Sequence, residues 1–189
     1  MKQNIMKYFT SDWHINEDRI GLNEKPNLFF RNFKSIDEQN QAIVDGCLNA
    51  CIKKEDEFFH LGDVVYKWDN EAENILSYLK EVIPCKWTLL LGNYDTNYNK
   101  LAEYFERIIE VDLIEIKGRK YYLNHYPIKC KNFKHHFGIT GHIHGLWKVQ
   151  RNMVNVGVDA WNFRFVDENQ IDFIRTACEE HYDENVFPF

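Results

Sequence analysis

The chain has 189 residues, a mass of 22.7 kDa and a formal net charge of −6, from 23 Lys and Arg against 29 Asp and Glu. This length predicts a single domain spanning residues 1–189. An apolar content of 44% excludes intrinsic disorder as the overall state. No stretch approaches the roughly 18 apolar residues that a membrane span requires. The acidic balance argues against nucleic-acid backbones as the main partner, and so against sequence-specific nucleic-acid binding.

The N-terminal residues and the cysteines indicate the cellular compartment. No apolar stretch of signal-peptide length follows the N-terminus. The five cysteines are odd in number and include no C-x-x-C pair. We therefore expect a cytoplasmic protein whose cysteines stay reduced and serve as small apolar side chains.

Strands and helices are predicted to alternate in the first half of the chain, and strands dominate the second half. Ser35 and Glu38 form a capping box that begins a helix with its apolar face at 43–52. Residues 20–34 carry breakers and predict an irregular excursion. Further helices are predicted at 70–82 and 98–105, and strands at 5–10, 58–61, 87–91, 108–111, 113–117, 120–124, 138–140, 147–149 and 153–156. This order favours an α/β protein with two sheets covered by helices.

Potential metal ligands follow five of the predicted strands at the point where each strand ends. They are Asp12 and His14, Asp63, Asn93 and Asp95, His125, and His142 and His144. Ligands of α/β proteins bind outside the carboxyl ends of strands, so we expect these side chains to share one crevice.

The ligand types point to divalent metal. The imidazoles suit Zn, Fe or Mn, and the carboxylate and amide oxygens favour Mn, Fe or Mg. The candidate ligands are Asp12, His14, Asp63, Asn93, His125, His142 and His144. Seven are too many for one tetrahedral zinc but fit two ions that share a bridging carboxylate. We therefore expect two divalent ions, with Mn favoured and Fe, Zn, Ni or Mg as alternatives. Such a pair activates a bridging water and clamps a phosphoryl group.

The ordered motifs resemble the signature of the calcineurin-like metallophosphoesterases, which reads D-x-H, G-D, G-N-H-[DE], H and G-H-x-H. The corresponding residues here are 12–14, 62–63, 92–95, 125 and 141–144. The compact bacterial and phage branch is the most similar, through the segments 31–33, 60–63 and 124–127. The resemblance implies a four-layer α/β/β/α sandwich of two mixed β-sheets flanked by helices, with a dinuclear centre.

The resemblance also implies roles for individual residues. It assigns the first ion to Asp12, His14 and His144, the second to Asn93, His125 and His142, and a bridge to Asp63. The catalytic candidates are Asn93, Tyr94, Asp95 and Arg31. Asp95 is expected to orient a neighbouring group, and Arg31 to clamp a phosphate through both guanidinium arms. Asp159 is a further candidate for supporting the site, whereas Asn16 and Glu17 replace the Gly-His that this branch often carries.

Tyr94 departs from the family pattern, because the motif G-N-H-D usually has His at this position. A phenol can donate a hydrogen bond to a phosphate oxygen. With an ordinary pKa of about 10, it is a weaker acid than imidazolium. We therefore expect slow turnover of esters with poor leaving groups.

The sequence favours an enzyme that hydrolyses a phosphodiester or phosphomonoester through a metal-bridging hydroxide, with a small, nucleotide-like phosphoester as the substrate. The alternative is a catalytically weak or inactive metal-binding scaffold of the same fold, indicated by Tyr94. Lys129, Lys131 and Lys134 form either a solvated loop or a phosphate-facing rim. A monomer or a homodimer is compatible with the composition.

Overall fold

The computed structural model describes residues 5–20, 31–131 and 136–181. Most of the predicted excursion at 20–34 and the end of the lysine stretch, Lys134, therefore lie outside the described residues. The strands are β1 (Lys7–Thr10), β2 (Glu57–His60), β3 (Lys86–Leu90), β4 (Arg107–Ile109), β5 (Val111–Ile116), β6 (Arg119–Asn124), β7 (Phe137–Thr140), β8 (Val149–Gln150), β9 (Met153–Asn155) and β10 (Val166–Asp167). The helices are α1 (Ile36–Ala50), α2 (Asn70–Val82), α3 (Tyr98–Leu101), α4 (Pro127–Lys131) and α5 (Glu168–His181).

The strands form two mixed sheets. The first has the order β10-β1-β2-β3-β4, in which β1 to β4 run parallel and β10 is antiparallel. The second has the order β5-β6-β7-β9-β8, in which the three central strands are parallel and both edge strands are antiparallel. The predicted fold class, two mixed sheets with flanking helices, is thus confirmed.

Alternation of side chains along the strands separates the core into layers. On β2, Phe58 packs with α1 and α2, whereas Phe59 packs against the second sheet. On β6, Leu123 faces the first sheet, and Tyr122 contacts Cys130 of α4 on the outer side. The layers therefore follow the predicted α/β/β/α order, with one short helix covering the second sheet.

Side chains cap the starts of α1, α2, α3 and α5, with Asn97 accepting from the Lys100 N–H before α3 and Asp167 from the Gln170 N–H before α5. Ser35 Oγ accepts from the Glu38 N–H at 3.1 Å, which is the first half of the predicted capping box. The Glu38 side chain accepts from the Lys34 N–H at 2.6 Å, one residue before the cap, instead of from the predicted Ser35 N–H. Asp69 caps α2 by accepting from the Ala72 N–H at 3.0 Å. In this way each cap satisfies an N–H that has no partner within its own helix.

The C-terminal helix α5 was not predicted. Its residues Ile171, Ile174 and Cys178 pack against the core between the sheets. Helix α3 is also shorter than predicted: it ends at Leu101, whereas the sequence predicts an end near residue 105. Within the described ranges, no helix has both the length and the apolar content that crossing a bilayer demands.

Candidate metal centre

The parallel pairing of β1, β2 and β3 brings the turns that follow them to one edge. The Asp12 N–H donates to Gly62 O at 2.9 Å, and the His14 N–H donates to Asp63 O at 3.0 Å, so the first two turns are bonded to each other. From the second sheet, the Gly141 N–H donates to His125 O at 3.1 Å. The five predicted strand ends therefore meet in one crevice.

The backbone is strained at most of the predicted ligands. Non-glycine residues seldom adopt positive φ, and such residues cluster at functional sites. The ligands with positive φ are Asp12 (59°), His14 (48°), Asp63 (60°), His142 (74°) and His144 (50°). Five of the seven predicted ligands thus sit in a conformation that the surrounding structure has to maintain.

Glycines allow the turns to approach closely. Gly62 has φ 95°, and a Cβ there would lie 2.6 Å from His125 Nδ1. A Cβ at Gly141 would lie 2.8 Å from Asp12 Oδ2. A larger side chain at either position would therefore displace a predicted ligand.

A first group of potential ligand atoms is formed by Asp12, His14 and His144, which are buried and lie within 4.8 Å of one another. His144 Nδ1 is 2.7 Å from Asp159 Oδ2, a contact that places the proton on Nδ1. His144 Nε2, 3.9 Å from Asp12 Oδ1, then presents its lone pair to the group.

A second group is formed by Asp63, His125 and His142. His125 Nδ1 donates to Leu61 O at 2.6 Å, since a carbonyl can only accept, and Nε2 therefore carries the lone pair. Nε2 lies 3.5 Å from Asp63 Oδ2 and 3.2 Å from His142 Nδ1. Asn93 Oδ1 joins this group, 3.3 Å from His125 Nε2 and 3.1 Å from His142 Nδ1.

The donor chemistry of the second group fits a cation. The oxygens of Asp63 and Asn93 only accept hydrogen bonds, and His125 Nε2 faces them with a lone pair. Such acceptors repel one another unless a positive charge lies among them. Carboxylate, imidazole and amide oxygen together suit Mn, Fe, Zn or Mg.

Asp63 connects the two groups. Its Oδ2 lies 3.4 Å from His14 Nε2 of the first group and 3.5 Å from His125 Nε2 of the second. Its Oδ1 accepts the Tyr94 N–H at 2.9 Å, which fixes the plane of the carboxylate. One oxygen of Asp63 therefore lies between the two groups.

Burial and neighbouring groups set the charges. Burial raises the pKa of Asp63, but a hydrogen bond with His14 and the charge of His125 lower it to about 2. Burial lowers the pKa of His14 to about 4 and raises that of Asp12 to about 7. At neutral pH Asp63 is therefore ionised and His14 is neutral, which are the forms that bind metal. Asp12 is partly protonated at this pH and would release its proton on binding a cation.

Arg31 does not have the role predicted for it. It is 3% exposed, and its Nε and Nη2 contact Asp159 at 2.7 and 3.0 Å. The same guanidinium donates to Asp12 O at 2.5 Å, and to Trp13 O and Gln39. The predicted phosphate clamp is corrected: Arg31 lies beneath the site and holds the first turn and Asp159 in place.

Asp159 lies between Arg31 and the predicted ligand His144. Burial raises the pKa of Asp159, but Arg31 and His144 lower it to about 2. The carboxylate is therefore ionised at neutral pH, and it orients the His144 ring as carboxylates commonly do for metal-binding histidines.

Asp95 acts on the backbone rather than on either group. Its carboxylate accepts from the N–H groups of Asp63 (2.8 Å), Gly92 (2.8 Å) and Val64 (3.0 Å). It thereby ties the turn after β2 to the turn after β3. The orienting role of Asp95 stays a prediction, and these three hydrogen bonds are the contacts on which it rests.

Sequence reasoning missed Arg19 and Gln39 and gave Glu17 no role. Gln39 donates to His14 O at 3.1 Å. Glu17 is fully buried, with Oε2 3.8 Å from His14 Nδ1, and it pairs with Arg19. The sequence offered one signal, the position of Glu17 three residues after His14. The burial of this loop carboxylate could not be inferred from the sequence pattern.

A family model described as calcineurin-like phosphoesterase matches residues 8–172. This chain therefore belongs to the calcineurin-like phosphoesterase family, as its motifs predicted. The family consists of metal-dependent hydrolases that act on phosphoester bonds, and the two ligand groups fit the divalent metals that such enzymes use. No curated protein sequence matches the chain significantly.

Solved structures support the fold. The chain is similar to AQ665 of Aquifex aeolicus, a protein of unknown function, with 25% identity, a TM-score of 0.70, and coverage of 90% of this chain and 99% of that one. It resembles the Escherichia coli phosphoesterase Yfce at 13% identity and TM-score 0.48, over 81% and 78% of the two chains. It resembles the nuclease MPE of Pseudomonas putida with 16% sequence identity and a TM-score of 0.47, and the match covers 73% of this chain and 60% of that one. At TM-scores below 0.5, the last two likenesses define nothing further.

Proposed function

We propose that this chain hydrolyses a phosphodiester or phosphomonoester at a pair of divalent ions, of which Mn is favoured. The first ion would be held by Asp12, His14 and His144, the second by Asn93, His125 and His142, with Asp63 shared. The observation that carries the proposal is the position of Asp63 Oδ2, 3.4 and 3.5 Å from one imidazole nitrogen of each group. Two ions held in this way lower the pKa of a water between them and neutralise phosphoryl charge.

The protein contributes orientation and charge. Leu61 O and Asp159 select the tautomers of His125 and His144, so each ring offers Nε2. Asn93 is exposed at the mouth of the crevice and would contact a phosphoryl oxygen through its side-chain N–H₂ while its oxygen faces the second group. Fixed dipoles and charges of this kind stabilise a transition state without having to reorganise.

The rim favours a substrate with a planar apolar group. The Tyr126 ring lies 4.9 Å from that of His142, and Ile128 and Leu146 are 64% and 68% exposed. Tyr126 and Ile128 lie one and three residues after His125, and Leu146 lies two residues after His144, so all three belong to the segments that carry these proposed ligands. A nucleotide-like ester offers both an anionic phosphoryl group and a ring that can stack on Tyr126.

Hydrolysis of bis-p-nitrophenyl phosphate and p-nitrophenyl phosphate tests the proposal. The protein is stripped with EDTA, reloaded with Mn and assayed beside Asp63→Asn. We expect Mn-dependent release that falls by at least about a hundredfold in the variant, because the shared carboxylate also sets the spacing of the ions. The ratio of diester to monoester rates identifies the substrate class.

Asp45→Asn is the matched control, since Asp45 is an exposed carboxylate of α1, and it should retain the wild-type rate. Folded protein that binds two ions yet hydrolyses neither ester would overturn the proposal and favour the metal-binding scaffold.

A further inference from the structure

Four side chains form a closed ring beside the first ligand group. Arg19 Nε and Nη2 each donate to Glu17 at 2.7 Å, and Arg19 Nη2 also donates to Tyr94 Oη at 3.1 Å. Glu17 Oε2 lies 3.8 Å from His14 Nδ1, and the Tyr94 ring packs edge-on against His14 with centroids 4.8 Å apart. Two independent contacts thus connect Arg19 to the same ligand, His14.

Arg19 has a fixed direction. Its two-armed contact with the fully buried Glu17 sets the plane of the guanidinium. The guanidinium carbon also lies 4.6 Å from the centre of the Tyr66 ring, which covers one of its faces. These contacts therefore hold the positive charge of Arg19 beside the Tyr94 hydroxyl.

This arrangement decides how the Tyr94 hydroxyl can act. A phenol has one proton and accepts through its oxygen, whereas a guanidinium only donates. Arg19 therefore cannot accept the phenol proton, which is left for another acceptor. A hydroxyl that accepts from a cation is polarised and donates its own hydrogen bond more strongly.

Tyr94 is also tied to the shared carboxylate, because its N–H donates to Asp63 Oδ1 at 2.9 Å. The backbone of Tyr94 is therefore held against the carboxylate that lies between the two groups. A phosphoryl oxygen bound at the first group is a natural acceptor, since it carries charge that grows during hydrolysis.

We propose that Arg19 is a positioning residue that acts through Tyr94: it holds the Tyr94 hydroxyl beside the first group and strengthens the hydrogen bond that this hydroxyl donates to a phosphoryl oxygen. The inference rests on the proposed phosphoesterase function. It assigns Arg19 a contribution that exists only while Tyr94 keeps its hydroxyl.

A double-mutant cycle tests this dependence. Tyr94→Phe, Arg19→Gln and the double variant are loaded with Mn, and their metal content is measured. Hydrolysis is measured with a phenyl phosphate ester and with the corresponding p-nitrophenyl ester. Both are diesters or both are monoesters, according to which class the wild type hydrolyses. We expect each single variant to lower kcat for the phenyl ester about tenfold, in line with one hydrogen bond to a charged group. The double variant should lose no more than either single variant.

Binding of inorganic phosphate to the Mn-loaded proteins, measured by calorimetry, gives a second readout that does not depend on turnover. The same non-additive loss of affinity is expected. Arg164→Gln removes an exposed arginine outside this ring and should change neither quantity. If Arg19→Gln unfolds because Glu17 is left unpaired, Glu17→Gln with Arg19→Gln replaces it in the cycle.

The two proposals fail in different ways. Wild type that releases no product and binds no phosphate would overturn the proposed function. Active wild type in which the Arg19 and Tyr94 losses simply add, or in which Arg19→Gln matches wild type, would overturn the role of Arg19 while leaving the phosphoesterase in place.

Discussion

At the scale of single residues, the buried pair Arg31–Asp159 gives a test of the site's support. Arg31→Met leaves the carboxylate of Asp159 buried without its cation. We expect unfolding free energy to fall by about 3 kcal/mol, the usual loss when one partner of a buried ion pair is removed. Urea unfolding measures it.

Arg107→Met is the matched control, because Arg107 pairs with Asp112 at the surface and should contribute under about 1 kcal/mol. Arg31→Met with Asp159→Leu should regain much of the lost stability while weakening metal binding at His144. Equal losses in Arg31→Met and Arg107→Met would contradict a supporting role for Arg31.

The candidate ligands could be identified from the sequence because they follow directly on predicted strands. The structure brings all seven of them together. Burial of a charged loop residue could not be predicted in the same way. The sequence predicts a phosphate clamp at Arg31, whereas the structure buries it against Asp159, which is 128 positions away. The contact between Arg31 and Asp159 forms only when the two sheets pack against each other.

At the scale of elements, the caps of α1 and α2 differ in their chemistry. Ser35 caps α1 with a hydroxyl, and Asp69 caps α2 with a carboxylate that also accepts from Asn16 Nδ2 at 2.8 Å. The hydrogen bond from the Ala72 N–H is the main cause that lowers the pKa of Asp69 below 3.8. The stability that Asp69 adds is therefore complete above the ordinary carboxyl pKa. It is lost as pH falls through the lower pKa of the folded state.

We expect Ser35→Ala to lower unfolding free energy by about 1 kcal/mol at every pH. Asp69→Ala should destabilise at neutral pH and progressively less in acid. Urea midpoints of both variants across the acidic range measure this, with Ser77→Ala on the exposed face of α2 as the neutral control. An acid-sensitive effect of Ser35→Ala would contradict the assignment.

Signals at the ends of elements decided which of them were predicted. The run at 87–91 ends at Gly92, and its strand β3 lies within one residue of the prediction. The start of α5 also carries a signal, which sequence reasoning overlooked: the Gln170 N–H donates to Asp167 Oδ1 at 2.9 Å, and the Asp167 N–H donates to Gln170 Oε1 at 3.0 Å. These two bonds form a capping box with Asp in place of Ser or Thr. The apolar residues Ile171, Ile174 and Cys178 then pack against the core between the sheets.

At the scale of the whole molecule, cysteine reactivity reports how the layers cover one another. Burial raises the pKa of Cys85 and Cys130 to about 12 and that of Cys47 well above its ordinary value, whereas Cys51 is exposed at the end of α1. A brief pulse of iodoacetamide followed by peptide mass spectrometry should label Cys51 first. Cys47, Cys85 and Cys130 should react only in denaturant, because the thiolate is the reactive form.

Fast labelling of Cys130 in the native protein would contradict the covering of the second sheet by α4. Fast labelling of Cys47 would contradict the packing of α1 on the first sheet.

The pairing of β1 with β2 has a consequence for how far apart the two ligand groups lie. His14 and Asp63 are in the turns that follow these neighbouring parallel strands, and the His14 N–H donates to Asp63 O at 3.0 Å. Their relative position is therefore set by the strand spacing of about 4.8 Å and by backbone hydrogen bonds as well as by side-chain rotamers. In the proposed two-ion centre, a change of metal would leave this main-chain frame in place and alter only how the side chains reach each ion.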